Sequence, residues 1–303
     1  MKINSLLELI GNTPNLRLNK LFPEHEIWIK LERQNPGGSI KDRISLGMIE
    51  AAENDGALKP GGTLIEATSG NTGIGLAWVG PLKGYQVKIV MPESQSIERR
   101  KIITAYGADL VLTPKEEGID GAIKKAQALR DAIPGSIMLE QFSNRANIDS
   151  HKNTTALEIV RDFDRLDYLF AAFGTGGHIS ALADILKEHI ENLKVVAVDP
   201  SGAPTLSEGN GGSHNIPGIG PGFIPDNLIV DSLDRVAPVS DAEAFAMTRR
   251  VAREEGLFAG VSTGAVLAAV EKQIKDGTIA KGDVVLTFNY DTGERYLSIE
   301  DLF

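Results

Sequence analysis

Short apolar and β-branched runs recur along the chain, at 27–31, 63–67, 87–91, 110–113, 168–173, 195–198 and 284–288. Runs of this kind, bounded by turn residues, predict strands buried on both faces. Between most of them the apolar positions take a helical period, at 44–52, 97–106 and 119–133. Strands alternating with helices predict an α/β fold of mainly parallel twisted sheets flanked by helices. No repeat of solenoid length and no low-complexity segment interrupts the alternation. One stretch, 200 to 225, is rich in Gly, Pro and Ser and lacks periodicity. Loops of that length are uncommon in compact domains and often functional, so it reads equally as a surface excursion or as part of a site. The polar segment 143–150 is the expected domain boundary.

Composition narrows the function classes. A chain of 303 residues suits two lobes or one large α/β unit, and 42% hydrophobic residues suffice for a sizeable core. The formal net charge of −10, spread without blocks, argues against a general nucleic-acid binder, which needs clustered Lys and Arg. With no cysteine there is no disulfide, no thiolate metal site and no cysteine nucleophile, and no metal centre is expected. The opening MKINSLLELIGNTP lacks the basic region and apolar run of a secretory signal. No apolar stretch approaches the ~20 residues of a membrane helix, so a cytoplasmic location is expected.

Four elements carry candidate chemistry, each where a strand gives way to a helix or loop, the usual place for ligands in open α/β sheets. In Asn35-Pro36-Gly37-Gly38-Ser39-Ile40-Lys41-Asp42-Arg43, a lysine enters at the start of a helical pattern. The positive end of the helix dipole lowers its pKa, and a neutral amine forms a Schiff base with an aldehyde. On this motif alone the stronger reading is an ordinary solvated lysine beside Asp42. Thr68-Ser69-Gly70-Asn71-Thr72-Gly73 supplies hydroxyls, an amide and glycines ahead of an apolar helix. That is more than an N-cap needs, and it suits a carboxylate or phosphate. Gly174-Thr175-Gly176-Gly177-His178 opens another helix. Its glycines allow close approach of backbone N–H groups to a phosphate, although a plain tight turn has the same composition. Neither a Rossmann spacing nor a Walker lysine is present. The fourth, Asp291-Thr292-Gly293-Glu294-Arg295-Tyr296-Leu297-Ser298, follows the last strand-like run.

In this order and spacing, the elements resemble the fold-type II pyridoxal 5′-phosphate (PLP) enzymes, whose fold is tryptophan synthase β-like. The likeness is closest to the cysteine synthase branch of the cysteine synthase/cystathionine β-synthase family. It extends through Ile10-Gly11-Asn12-Thr13-Pro14, Met91-Pro92-Glu93, Ser96-Ile97-Glu98-Arg99-Arg100-Lys101, Gln141-Phe142-Ser143-Asn144, Gly218-Ile219-Gly220 and Gly222-Phe223-Ile224-Pro225. The resemblance implies a larger cofactor-binding domain, 1–42 with 147–303, and a smaller mobile domain, 43–146. It implies that Lys41 is the Schiff-base lysine and the base at the substrate α-carbon. Asn71 would face the cofactor's 3′ oxygen, and Gly174, Thr175, Gly176, Gly177 and His178 would surround its phosphate. Thr292 would place a hydroxyl against the pyridine nitrogen. Thr68, Ser69, Asn71, Thr72 and Gln141 would hold the amino acid's carboxylate.

The implied reaction is β-replacement on an L-serine derivative, O-acetyl-L-serine and sulfide giving L-cysteine and acetate. Relatives of the same type use O-phosphoserine, join serine to homocysteine, or release sulfide from cysteine, and a catalytically idle binding protein is a further alternative. A homodimer and a serine acetyltransferase partner are also implied. Three positions depart from the usual pattern. His178 stands where the phosphate loop commonly has Thr, Asn289-Tyr290-Asp291-Thr292-Gly293 replaces a Pro-Ser-Ser-Gly run, and Asn15 replaces an aliphatic residue.

Overall fold

In the computed structural model, residues 2–68 and 70–303 are described. The strands are β1 (Asn15–Arg17), β2 (Glu26–Leu31), β3 (Thr63–Ala67), β4 (Gln86–Pro92), β5 (Asp109–Thr113), β6 (Ser136–Met138), β7 (Tyr168–Ala172), β8 (Lys194–Pro200), β9 (Arg235–Val239) and β10 (Val284–Asn289). The α-helices are α1 (Lys41–Asn54), α2 (Asn71–Leu82), α3 (Ile97–Ala105), α4 (Gly118–Ala132), α5 (Arg145–His151), α6 (Leu157–Asp162), α7 (Gly177–His189), α8 (Thr205–Glu208), α9 (Asp241–Glu255) and α10 (Val261–Lys275).

The strands form two sheets. One has six strands in the order β1-β2-β10-β7-β8-β9, parallel except for β1 against β2. The other has four parallel strands in the order β5-β4-β3-β6. Central strands are buried almost throughout, as in β3, where all five residues of TLIEA are enclosed. Parallel strands covered on both faces must be apolar along their whole length, which is the pattern the sequence shows.

Glu66 is the exception within β3. Its carboxylate accepts the backbone N–H groups of Leu139, Glu140 and Gln141 at 3.2, 3.0 and 3.1 Å. An acid in an apolar strand thus pins the segment that carries Gln141. Burial pushes the carboxyl up to about 7 in spite of those three donors.

Helices α1 and α2 pack together beside the four-stranded sheet, and Ala122 and Ala126 of α4 join Ile65 and Val90 in a separate core cluster. Residues 72–80 of α2 are buried without interruption, so it is an interior helix with no solvent face. A methyl group at Gly75 would stand 2.3 Å from Ser45 Oγ, so glycine permits the close α1–α2 contact. The larger core joins the six-stranded sheet to α7, α9 and α10. The expected boundary 143–150 is no free linker: most of it lies in α5, which packs against both α1 and α7. Among the described residues no helix is long and apolar enough to cross a membrane.

Candidate active site

Strands β2, β3, β7 and β10 run parallel within their sheets, and the four motifs leave their carboxyl ends. The lysine loop follows β2, the hydroxyl-rich loop follows β3, the glycine turn follows β7, and the Asp291 segment follows β10. All four open onto a single cavity of about 730 Å³, the Asp291 segment through Tyr296. Its wall includes Lys41, Thr68, Asn71, Thr72, Gln141, Gly174, Thr175, Gly176 and His178. The irregular 200–225 stretch contributes His214, Asn215, Ile216, Gly218 and Ile219 to the same wall, so it belongs to the site. Two expected residues stand behind it. Gly177 is packed on Asn147, whose Oδ1 would lie 2.2 Å from an added methyl group. Thr292 is half-buried at the end of β10, bridged to Ala259. Ser69 lies outside the described residues.

Lys41 is the first residue of α1, as the sequence predicts, and its accessible surface faces the cavity. Burial pulls its ammonium down to about 8, against the opposing pull of the Asp291 carboxylate. A neutral amine is within reach near neutral pH, which is what nucleophilic attack on an aldehyde requires.

Asp291 organises the surroundings of that amine. Its Oδ2 accepts Asn71 Nδ2–H at 2.7 Å and the Tyr296 hydroxyl at 2.5 Å, while Oδ1 has no partner. Asn71 Oδ1 in turn accepts Arg295 Nη1–H at 2.5 Å, and Arg295 also donates to the Gly37 carbonyl. The cation on one side and the carboxylate on the other fix which end of the Asn71 amide carries oxygen. One N–H of that amide remains for a ligand. Gly37 N–H donates to Asp42 Oδ2 at 2.6 Å, and Trp78 Nε1–H donates to Asp42 Oδ1 at 3.1 Å. Together these bonds tie the lysine loop to the C-terminal segment.

A second network joins the hydroxyl loop to the glycine turn. Thr72 Oγ1–H donates to Gln141 Oε1 at 2.6 Å. Asn147 Nδ2 donates to the Gln141 carbonyl at 2.8 Å and to Thr175 Oγ1 at 2.9 Å. His178 lies on the cavity wall with neither ring nitrogen hydrogen-bonded, its ring edge-on to Phe288 at 4.4 Å. Burial pulls its pKa down to about 3, so the imidazole is neutral.

These features fit PLP. Lys41 is a buried amine for its aldehyde, the start of α7 offers backbone N–H groups for its phosphate, and the neutral His178 ring has an N–H free to donate. The sequence did not single out Asp291, Arg295, Glu66 or Asn147 as organisers of the site. Only the Asp291–Ser298 run carried a signal for the first two.

Comparison with known proteins agrees with this geometry. A curated cysteine synthase from a Flavobacterium species is 54% identical over 262 residues, covering 86% of this chain and 85% of the relative. A cysteine synthase from Staphylococcus aureus is 44% identical over 300 residues, covering 98% and 96%. A crystal structure of O-ureido-L-serine synthase superposes with a TM-score of 0.96 at 42% identity, covering 100% of this chain and 96% of that one. The family model described as pyridoxal-phosphate dependent enzyme matches residues 6–291, a span that takes in Lys41, the hydroxyl loop and the glycine turn, and this chain belongs to that family.

Proposed function

We propose that this chain is a cysteine synthase, converting O-acetyl-L-serine and sulfide to L-cysteine and acetate. The observation that carries the reading is the placement of one buried amine, Lys41, on a wall shared with a neutral hydroxyl-and-amide loop and a glycine turn. The cysteine synthases among this chain's relatives support the choice of reaction.

When bound, PLP supplies an electron sink for the substrate α-carbon. Lys41 Nζ takes the proton from that carbon as acetate leaves the β-carbon. It returns the proton once sulfide has added there. Thr68, Ser69, Asn71, Thr72 and Gln141 hold the substrate's carboxylate. Asn71 Nδ2 would face the cofactor's 3′ oxygen, and Gly174, Thr175, Gly176, Gly177 and His178 would hold its phosphate. Thr292, behind the wall, would offer its hydroxyl toward the pyridine nitrogen. Residues 43–146 form the lobe that closes over the carboxylate and excludes water.

The deciding experiment is a visible absorption titration of purified holoenzyme with O-acetyl-L-serine, L-cysteine and L-serine. A shift of the cofactor band with O-acetyl-L-serine, reversed by sulfide with formation of L-cysteine, is expected. A response confined to L-cysteine or L-serine would move the reading to a sulfide-releasing or cystathionine-forming lyase. No band after addition of PLP would leave a binding protein.

The lowered pKa of Lys41 makes a separate prediction. The neutral fraction of an amine rises with pH through its pKa, so capture of PLP by apoenzyme should accelerate from pH 6 and level off above about 8. Stopped-flow absorbance measures the rate. A profile still climbing at pH 10 would mean that the amine is unperturbed.

The proposed assembly is a cytoplasmic homodimer. Ile3, Leu6, Leu9 and Leu16 remain exposed near the N-terminus, apolar surface that a second copy would cover. Sedimentation as a monomer at micromolar concentration would contradict it. The terminal carboxylate of a serine acetyltransferase tail is chemically akin to the substrate carboxylate, which supports it as a competing occupant, to be tested by displacement of O-acetyl-L-serine.

A further inference from the structure

Arg99, in the first turn of α3, is 4% exposed and lines the cavity. Its guanidinium carbon lies 4.8 Å from the centroid of the Tyr296 ring. Among the described residues no carboxylate lies within 4.0 Å of it, and its Nε–H has no acceptor. Glu300 lines the same cavity without pairing to it. A guanidinium stays protonated at any working pH, and a buried charge without a counter-ion is costly. An aromatic face offsets only part of that cost. The arrangement is complete only when an anion enters the cavity.

Position selects which anion. A methyl group at Gly70 would stand 2.9 Å from Arg99 Nε and 3.3 Å from Cζ, so the guanidinium lies directly on the hydroxyl-rich loop. The glycine turn belongs to β7 and α7 of the six-stranded sheet, whereas Arg99 belongs to the four-stranded sheet's flank. The described polar side chains of the loop, Thr68, Asn71 and Thr72, are neutral, as is Gln141 beside them. They supply direction without charge.

We propose that Arg99 is the cationic partner of the substrate's α-carboxylate and restricts this site to free α-amino acids over their amides and esters. The inference rests on the amino-acid substrate of the proposed function. Arg99 makes Gly70 necessary as well, because any side chain there would displace the guanidinium.

The experiment compares O-acetyl-L-serine with its carboxamide on holoenzyme of the parent, Arg99→Gln and Arg99→Lys. The readout is the concentration giving half of the change in the cofactor band, with turnover not required. The parent is expected to favour the acid by about a hundredfold or more, as a charge-assisted contact should. In Arg99→Gln that preference should shrink at least about tenfold, through weaker binding of the acid with the amide unchanged. Arg99→Lys, which keeps the charge without the planar fork, should fall between them and serves alone if the glutamine variant does not fold. Equal weakening of acid and amide, or an unchanged preference, would overturn the proposal. Should the parent fail to respond to O-acetyl-L-serine, the substrate reading fails instead. The same acid–amide comparison with L-cysteine or L-serine then decides the role of Arg99.

Discussion

Lys41→Ala is expected to abolish β-replacement, lowering turnover by at least about 10³-fold, and to stabilise the apoprotein at the same time. The catalytic loss follows from its two tasks, holding the cofactor's aldehyde and carrying the α-proton. Among the described residues no other amine lines the cavity, whose remaining basic side chains are Arg99, His178 and His214, and the His178 ring is neutral. The stability gain follows from the opposite physics. The folded state prefers the neutral amine, with a pKa of about 8 against 10.5 when unfolded. The burial cost is therefore fully present below pH 8 and disappears as pH rises past 10.5. Removing the amine should raise the apoprotein's stability at pH 7 by no more than about 3 kcal/mol, and by nothing near pH 11. Denaturant melts of both apoproteins at pH 7 and 10.5 measure it. A variant that keeps β-replacement activity, or one less stable than its parent at pH 7, would show that Lys41 is not a strained, reactive amine.

Most of the strands that the sequence made legible are enclosed by the fold, because a long apolar run is favoured where no face meets water. Those at 27–31, 63–67, 87–91, 110–113, 168–173, 195–198 and 284–288 fall within a residue or two of β2, β3, β4, β5, β7, β8 and β10, and of these β5 alone is a partly exposed edge strand that kept its apolar run. Strands β1, β6 and β9 were not legible, and each is an edge strand. β1 and β6 are three residues long, and β9 contains Pro238, features that blunt an edge and erase its apolar signature. Helix α1 begins at Lys41, ahead of the periodic segment at 44, because its first turn buries Asp42 and Arg43 where an apolar pattern would have been visible.

The site divides along the same line. Glycine and hydroxyl clusters are rare enough to be noticed in sequence. A buried Asp291, Arg99 or Glu66 is indistinguishable there from a surface charge. Their partners also lie far along the chain: Asn71 and Asp291 are 220 residues apart, and Glu66 and Gln141 are 75 apart. Only the fold reveals that such charges are enclosed.

Arg43→Met is expected to be the most destabilising single change, costing about 3–5 kcal/mol at pH 7. Arg43 is buried two residues after Lys41 and binds two carboxylates at once. Its Nε and Nη2 donate to Glu32 at 2.7 and 2.8 Å, and its Nη1 and Nη2 donate to Glu158 at 2.7 and 2.8 Å. Lys30 balances the cluster, 2.8 Å from Glu158, and Thr13 Oγ1–H donates to Glu32 at 2.6 Å. Two cations and two anions cancel within one dry volume, joining β2, α1 and α6. The arginine and lysine hold Glu158 down to about 2 against the burial that would raise it, and Arg43 likewise keeps Glu32 low. In the parent, the stability that Glu158 contributes is present above pH 4.5 and lost as pH falls toward 2. Without Arg43, one lysine faces two buried carboxylates, whose pKa values must rise above those of the unfolded chain. The sign of the linkage then inverts: the variant should gain stability as pH falls from 8 to 5, over which the parent does not gain from this cluster. Urea midpoints across that range separate charge from packing. A loss that is uniform from pH 5 to 8 would assign the defect to lost volume alone. Because α1 starts at Lys41, the same variant should also hold cofactor more weakly, and dialysis against buffer without PLP measures that loss.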